Sequence, residues 1–206
     1  MTLKEQNVIS DKRGNSTSKG YDIKTVRNFA YSSGKLYLVY NHSDIKVINA
    51  RTFDDLGNLN KGGVEGGTLK LCDVKECGGK IIASNLAIAA NGEKLRLYIW
   101  DNDQSNPRVL AEISNFGGAP RLGDCIGFSG TLNSGKFAFA NDDGATTRIV
   151  EYTISNGVVN TTPSVKTVTT DGSTHLSTQA STRVYPDNTG YWIDGKDNYL
   201  ARLDTN

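Results

Sequence analysis

Long apolar runs are missing from these 206 residues: no stretch approaches the roughly 20 residues that a membrane-spanning helix needs, so no membrane span is expected. The first thirty residues, opening MTLKEQNVISDKRGNSTSKG, lack the apolar centre of a signal peptide, and the chain as given carries no export signal. Charge of one sign is lacking too. With 23 basic against 22 acidic residues, net +1, the chain has no field that would gather nucleic acid, and any partner has to be recognised locally. Histidine is scarce: His42 and His175 are the whole supply, without an HExxH or GxSxG pattern. A hydrolytic triad would have to join one of them to Ser43 or Ser177 and an aspartate, and no spacing positions such a set. Cysteine comes in an odd number, Cys72, Cys77 and Cys125, without the CxxC pairs of a zinc site. All three read as ordinary sheet residues; the alternative is one bridge, from Cys72 to Cys125 or to Cys77. Helical periodicity is the last absence. Only LAIAANGEKL near residue 90 has a helical look, and its Asn91-Gly92 pair suits a hairpin turn better.

What is present is strand signal: 22 glycines punctuate short runs rich in Val, Ile, Tyr, Phe and Thr. These runs repeat. GKLYLVYN begins at Gly34, GKIIASN at Gly79, GKFAFAN at Gly135 and GYWIDG at Gly190, at intervals of 45, 56 and 55 residues. Each follows an apolar strand ending in a turn and precedes a further strand (DIKVINA, KLRLYIW, TRIVEYTI, NYLARL). In three copies a fourth, outer strand comes next, near Asp54 to Asn58, Arg108 to Ile113 and Val158 to Val168. A period of this length with four strands per copy is that of a propeller blade.

The sequence therefore predicts an all-β chain, one β-propeller domain over 1–206 with about four antiparallel blades at 26–59, 68–113, 122–168 and 180–206. The last copy stops before an outer strand. Leu3 to Ser10 could supply it, closing the ring and removing an open sheet edge. Alternatively the chain is the front part of a larger propeller that further domains or chains complete. DKRGNSTSKG, Asp11 to Gly20, reads as a linker.

Three segments imitate ligand motifs. GTLNSGKF, Gly130 to Phe137, has the spacing of a phosphate loop, but Phe137 replaces the hydroxyl that would hold magnesium and a strand follows, so the repeat's own hairpin turn explains it. DNDQSNPRVLAE puts Asp101, Asp103, Ser105 and Glu112 at calcium-loop positions, a weak metal candidate spoiled by Asn106 where glycine is wanted and by Pro107. An Asp- and Asn-rich turn explains it without a metal. KGGVEGGT, Lys61 to Thr68, could offer amides to an anion but reads first as a blade crossover. No cofactor is implied.

The repeat brings polar loops into register. Asn41, Asn85 and Asn141 end the second strands of three blades, and the loops they open, with His42 and Asp142, fall on one face. Crossovers carrying Arg121, Asp124, His175 and Arg183 join that face, where propellers bind. Asn also tolerates left-handed turns, which accounts for part of the pattern without a ligand. A rim of Asn, Asp and Arg suits sugar hydroxyls or a polar peptide. Trp100 and Trp192 sit inside apolar strand runs and read as packing between blades.

Taken together, KLYLVYNHSDIKVINARTFDDLGNLNKGGVEGGTLKLCDV, LRLYIWDNDQSNPRVL, RLGDCIGFSG and RVYPDNTGYWIDG resemble an uncharacterised family of bacterial β-propeller domains from secreted or outer-surface proteins. The likeness runs from Arg27 to the C-terminus. It implies the propeller fold and an extracellular, periplasmic or outer-surface setting, and transfers no catalytic residue. Members are longer, with more blades, and usually follow an export signal. The expectation is a non-catalytic binding or scaffolding module of the envelope that recognises a carbohydrate or protein through its loop face. The alternatives are a structural module of a larger surface or virion assembly, and a propeller glycan lyase or hydrolase whose acids converge at the central mouth.

Overall fold

The computed structural model describes residues 25–168, 182–187, 189–195 and 198–204. Four antiparallel sheets stand in a ring, the arrangement of a four-bladed β-propeller. The first comprises β1 (Val26–Ser32), β2 (Lys35–Tyr40), β3 (Asp44–Asn49) and β4 (Asp55–Asn58). The second holds β5 (Leu69–Cys77), β6 (Lys80–Ile88), β7 (Leu95–Trp100) and β8 (Arg108–Ile113), with β9 (Arg121–Leu122) pairing back onto β6. The third has β10 (Gly127–Gly130), β11 (Ser134–Asp142) and β12 (Thr147–Ser155), and its outer edge is split into β13 (Val158–Val159) and β14 (Ser164–Val168). The fourth has β15 (Arg183–Pro186), β16 (Gly190–Gly195) and β17 (Asn198–Asp204). The segments expected to close the ring, Leu3 to Ser10, and to form a linker, Asp11 to Gly20, lie outside the described residues, as do His175 and Ser177.

The four repeated segments are the second strands of the four sheets, and their turns show why. Ser33 and Gly34 join β1 to β2 at φ 49° and 78°, a double left-handed turn whose twist matches the strands it connects. The outer edge of the third sheet is interrupted by Pro163, which has no N–H to give a ladder. Around residue 90 a single 3-10 turn, Ala89–Asn91, ends at Gly92 in the left-handed conformation. No α-helix occurs among the described residues, and none of the described helices is long and apolar enough to cross a membrane.

In the two middle blades the second and third strands are apolar almost throughout because both of their faces are covered, each by a different neighbour. Along β11, Phe137 and Phe139 pack toward the second blade with Ile82, Leu97 and Tyr152, whereas Ala138 and Ala140 turn to the fourth blade, against Val184 and Tyr191. Val39 and Val47 meet Leu71, Ile81 and Trp100 between the first two blades. Trp100 is fully buried and its indole N–H donates to the Asn60 carbonyl at 2.7 Å, so it packs between blades as the sequence suggests. Trp192 does not. It is 40% exposed, because Tyr191 and Ile193 take the inward positions of β16, leaving its ring to the Arg202 guanidinium at 5.6 Å.

Candidate functional site

A propeller's inner strand starts where the second strand ends, as the pairing of Val26 with Tyr40 shows in the first blade. The loops after the second strands and the crossovers into the inner strands therefore share one face. At that face a pocket of about 230 Å3 is lined by Arg27 and Asn28 of β1, Asp124 of the crossover into the third blade and Arg183 of β15.

Asp124 is its anchor. Arg27 Nη2 donates to Asp124 Oδ1 at 2.5 Å, and Arg121 clasps the same carboxylate with Nε on Oδ2 at 2.8 Å and Nη2 on Oδ1. Asn28 Nδ2 bridges the Cys72 and Asp124 carbonyls, at 3.2 Å each. Arg183, at the start of β15, is exposed and makes no ion pair with any described residue. Two guanidinium groups thus hold one carboxylate while a third, Arg183, lines the same pocket, so among the described residues it carries an excess of positive charge. Arg27 Nε and His42 Nδ1 are buried without a hydrogen-bond partner among the described residues. Burial, and then the charge of Arg27, hold the His42 imidazole below its ordinary pKa.

The crossover is held by the second blade. Ala87 and Ile88 of β6 pair with Leu122 and Arg121, the Gly123 carbonyl accepts from Ser84 Oγ at 2.9 Å, and Gly123 itself adopts φ 106°. A Cβ there would lie 1.9 Å from the Asn85 carbonyl oxygen, so only glycine lets the chain pass this close. Further in, fully buried Asp73 accepts from the Ile126 N–H at 2.5 Å and pairs with Lys75 at 3.2 Å. Burial pushes the Asp73 carboxyl up; it also works against the Lys75 ammonium, which the Asp73 charge nonetheless holds raised.

The structure brings Arg121, Asp124 and Arg183 together, with His42 close enough to feel Arg27. It uses the asparagines differently. Asn41 is an exposed turn residue at φ 50°. Asn85 is buried in β6, where its Oδ1 accepts from the Arg96 N–H at 2.7 Å and its Nδ2 donates to the Lys94 carbonyl at 2.9 Å, extending the hairpin beyond its last backbone pair. Asn141 is buried in β11, its amide without a hydrogen-bond partner among the described residues, and Asp142 accepts from Thr147 Oγ1 and from the Gly144 N–H at 2.8 Å, closing its turn. Ser43 donates to Asp44 at 2.8 Å and forms no pair with His42.

The metal-like segment is dispersed. Asp101 pairs with Lys80, Asp103 with Lys35, and Glu112 on β8 with Lys94 and Arg96, while Ser105 donates to the Asn102 carbonyl. No group of three or more His, Cys, Asp or Glu able to hold an ion occurs among the described residues. All three cysteines are free and buried, and burial pushes the Cys72 and Cys125 thiols up to about 12.

Arg27 and Asn28 are the lining residues that sequence reasoning missed. A signal existed: Arg27 and Arg183 each stand seven residues before the glycine that opens their blade's repeat segment, Gly34 and Gly190.

A family model described as "Domain of unknown function (DUF4623)" matches residues 13–206. A crystal structure of a DUF4623 family protein from Bacteroides eggerthii DSM 20697 superposes with a TM-score of 0.68 at 22% identity, over 88% of this chain and 43% of that one. The chain thus spans less than half of that relative's length. The crystal structure of the computationally designed Ika4 protein aligns with a TM-score of 0.46 at 12% identity, over 87% of this chain and 90% of that one. No curated protein matches.

Proposed function

Because the chain belongs to DUF4623, a family of unknown function, we propose a function from its own geometry: a non-catalytic binding module that takes an anionic ligand group at the mouth of its central channel. One observation carries the reading. Arg27 and Arg183 line a pocket in which the only lining carboxylate among the described residues, Asp124, is already held by Arg27 and by Arg121. Bound carboxylate is favoured wherever guanidinium forks are left with donors to spare, since charge-assisted pairs are about twice as strong as neutral ones.

Binding is favoured over catalysis by the state of the reactive groups. Asp124 is engaged by two cations, and the Cys72 and Cys125 thiols are held protonated by burial. An envelope setting belongs to the same reading, supported by the resemblance of the strand and turn motifs to secreted propellers.

Calorimetric titration with a monomeric uronate, sulfate and phosphate, against uncharged galactose, tests it. Binding of at least one anion is expected, weakening with added salt and falling at least tenfold in Arg183→Ala. If galactose binds as well as every anion, or the variant binds as the parent does, the reading is wrong.

A further inference from the structure

The pocket holds one neutral acceptor whose orientation the fold fixes. Asn28, on β1, spends both N–H bonds of its Nδ2 on main-chain carbonyls, those of Cys72 and Asp124, at 3.2 Å each. A side-chain amide clamped in this way cannot turn over, because that would set its oxygen against two carbonyl oxygens. Asn28 Oδ1 accepts from no described residue and is not sealed from water, so it opens on the pocket that Asn28 lines. Asp124 offers a ligand nothing comparable. Its side chain is only 5% exposed, Oδ1 accepts from Arg27 and Arg121, Oδ2 accepts a third N–H from Arg121, and its main-chain carbonyl is one of the two that clamp Asn28. Two unlike groups therefore face the same small space. The guanidinium of Arg183 calls for an anion, and the Asn28 oxygen calls for a hydrogen-bond donor.

Resting on the anion-binding reading above, we infer that the ligand is a small hydroxycarboxylate, with its carboxylate on Arg183 and a hydroxyl donating to Asn28 Oδ1. Sulfate or a plain carboxylate satisfies the arginine but covers the Asn28 oxygen without giving it a proton, and a polar atom taken from water unpaired counts against binding. An ammonium group would donate, but it would enter beside Arg27 and Arg183, where the one lining carboxylate is already held by two guanidinium groups, and like charges repel. A hydroxyl donates without adding charge. The planar fork of Arg183 matches a carboxylate in shape, and paired N–H bonds to it orient the rest of the molecule. Because the Asn28 amide is already locked by β5 and by the crossover, it meets the hydroxyl without having to be ordered first. Size points the same way. At about 230 Å3 the pocket falls below the roughly 300–1,000 Å3 of sites that enclose drug-sized molecules, which suits a single sugar acid or a shorter hydroxy acid.

Titrations with galacturonate, its uncharged methyl ester, cyclohexanecarboxylate, aminocyclohexanecarboxylate and sulfate decide the matter, on the parent chain and on Arg183→Ala and Asn28→Ala, each checked for native circular dichroism. Galacturonate is expected to bind the parent at least tenfold tighter than any of the others. Arg183→Ala should weaken it at least tenfold, and Asn28→Ala should bring it down to the level of cyclohexanecarboxylate, whose own affinity stays within twofold. The side-chain amide signals of Asn28 in the isotope-labelled parent test the same contact without a substitution: at saturation galacturonate should move them and cyclohexanecarboxylate should not. If cyclohexanecarboxylate binds through Arg183 as tightly as galacturonate, the anion pocket stands and the hydroxycarboxylate falls. Tighter binding of sulfate or of the amino acid overturns it too, as does galacturonate affinity that survives Asn28→Ala unchanged. If no anion binds better than the ester, the anion-binding reading itself is lost.

Discussion

Arg27 and Asp124 are 97 residues apart in sequence and 2.5 Å apart in the fold, and Arg121 holds the same carboxylate from within its own crossover. This three-way contact fastens the first blade to the junction of the second and third. It also fixes the cationic mouth.

Replacing Asp124 by Asn should therefore destabilise the chain. Two arginines about a third exposed lose a buried counter-charge, which costs about 2 kcal/mol after allowing for their access to water. Urea unfolding should show a lower midpoint with an unchanged slope. A midpoint equal to the parent's would mean that the contact contributes nothing.

Gly123→Ala is expected to be the more damaging change. Its Cβ would fall 1.9 Å from the Asn85 carbonyl oxygen at φ 106°, so the crossover has to move, at a cost of about 3 kcal/mol or more. Asp124 and Arg121 move with it, and anion binding should fall along with stability in the same titrations.

Asn85 is expected to matter for folding and not for ligand. Asn85→Ala leaves the Arg96 N–H and the Lys94 carbonyl without their partners in a part-buried hairpin, a loss of about 2 kcal/mol. Ligand affinity, measured below the unfolding transition, should stay within twofold of the parent. A tenfold loss would return Asn85 to the binding face.

Asp143 provides a pH signature. Arg148, 2.5 Å away, and the Ala145 and Thr146 N–H groups hold its carboxyl at about 2, against an ordinary 3.8. A depressed folded-state value means that the unfolded chain binds the proton first. The stabilisation is complete above 3.8 and disappears as pH falls toward about 2. Carboxyl NMR titration should find the low value, and Arg148→Met should raise it; an unshifted Asp143 in the parent would contradict the turn geometry.

The thiols should be silent in the native state. Cys72, Cys77 and Cys125 are buried, free and raised by burial, so Ellman's reagent should find no reactive thiol until denaturant is added and three thereafter. Fast labelling of the folded chain would show that one of them is accessible.

The repeat was legible because backbone pairing is a local, periodic matter. Apolar alternation, glycine turns and the spacing of Gly34, Gly79, Gly135 and Gly190 locate the second strands, and each of these strands pairs with its chain neighbours through short hairpins. The polar face was legible in part. Arg121, Asp124 and Arg183 follow from their places in crossovers, whereas Asn141 shares strand parity with Phe137 and Phe139 and so enters the blade interior.

By itself the sequence determined an all-β propeller of four sheets and the end of the wheel at which its loops gather, since these follow from periods of two residues and of some fifty. Tertiary structure alone decided that Arg27, reading as an ordinary strand residue, would meet Asp124, and that Trp192 would face outward while Trp100 is buried. The reason is physical: charge pairing and exposure depend on which blades meet in space, and that is set by the closing of the ring and not by any stretch of chain short enough to show a pattern.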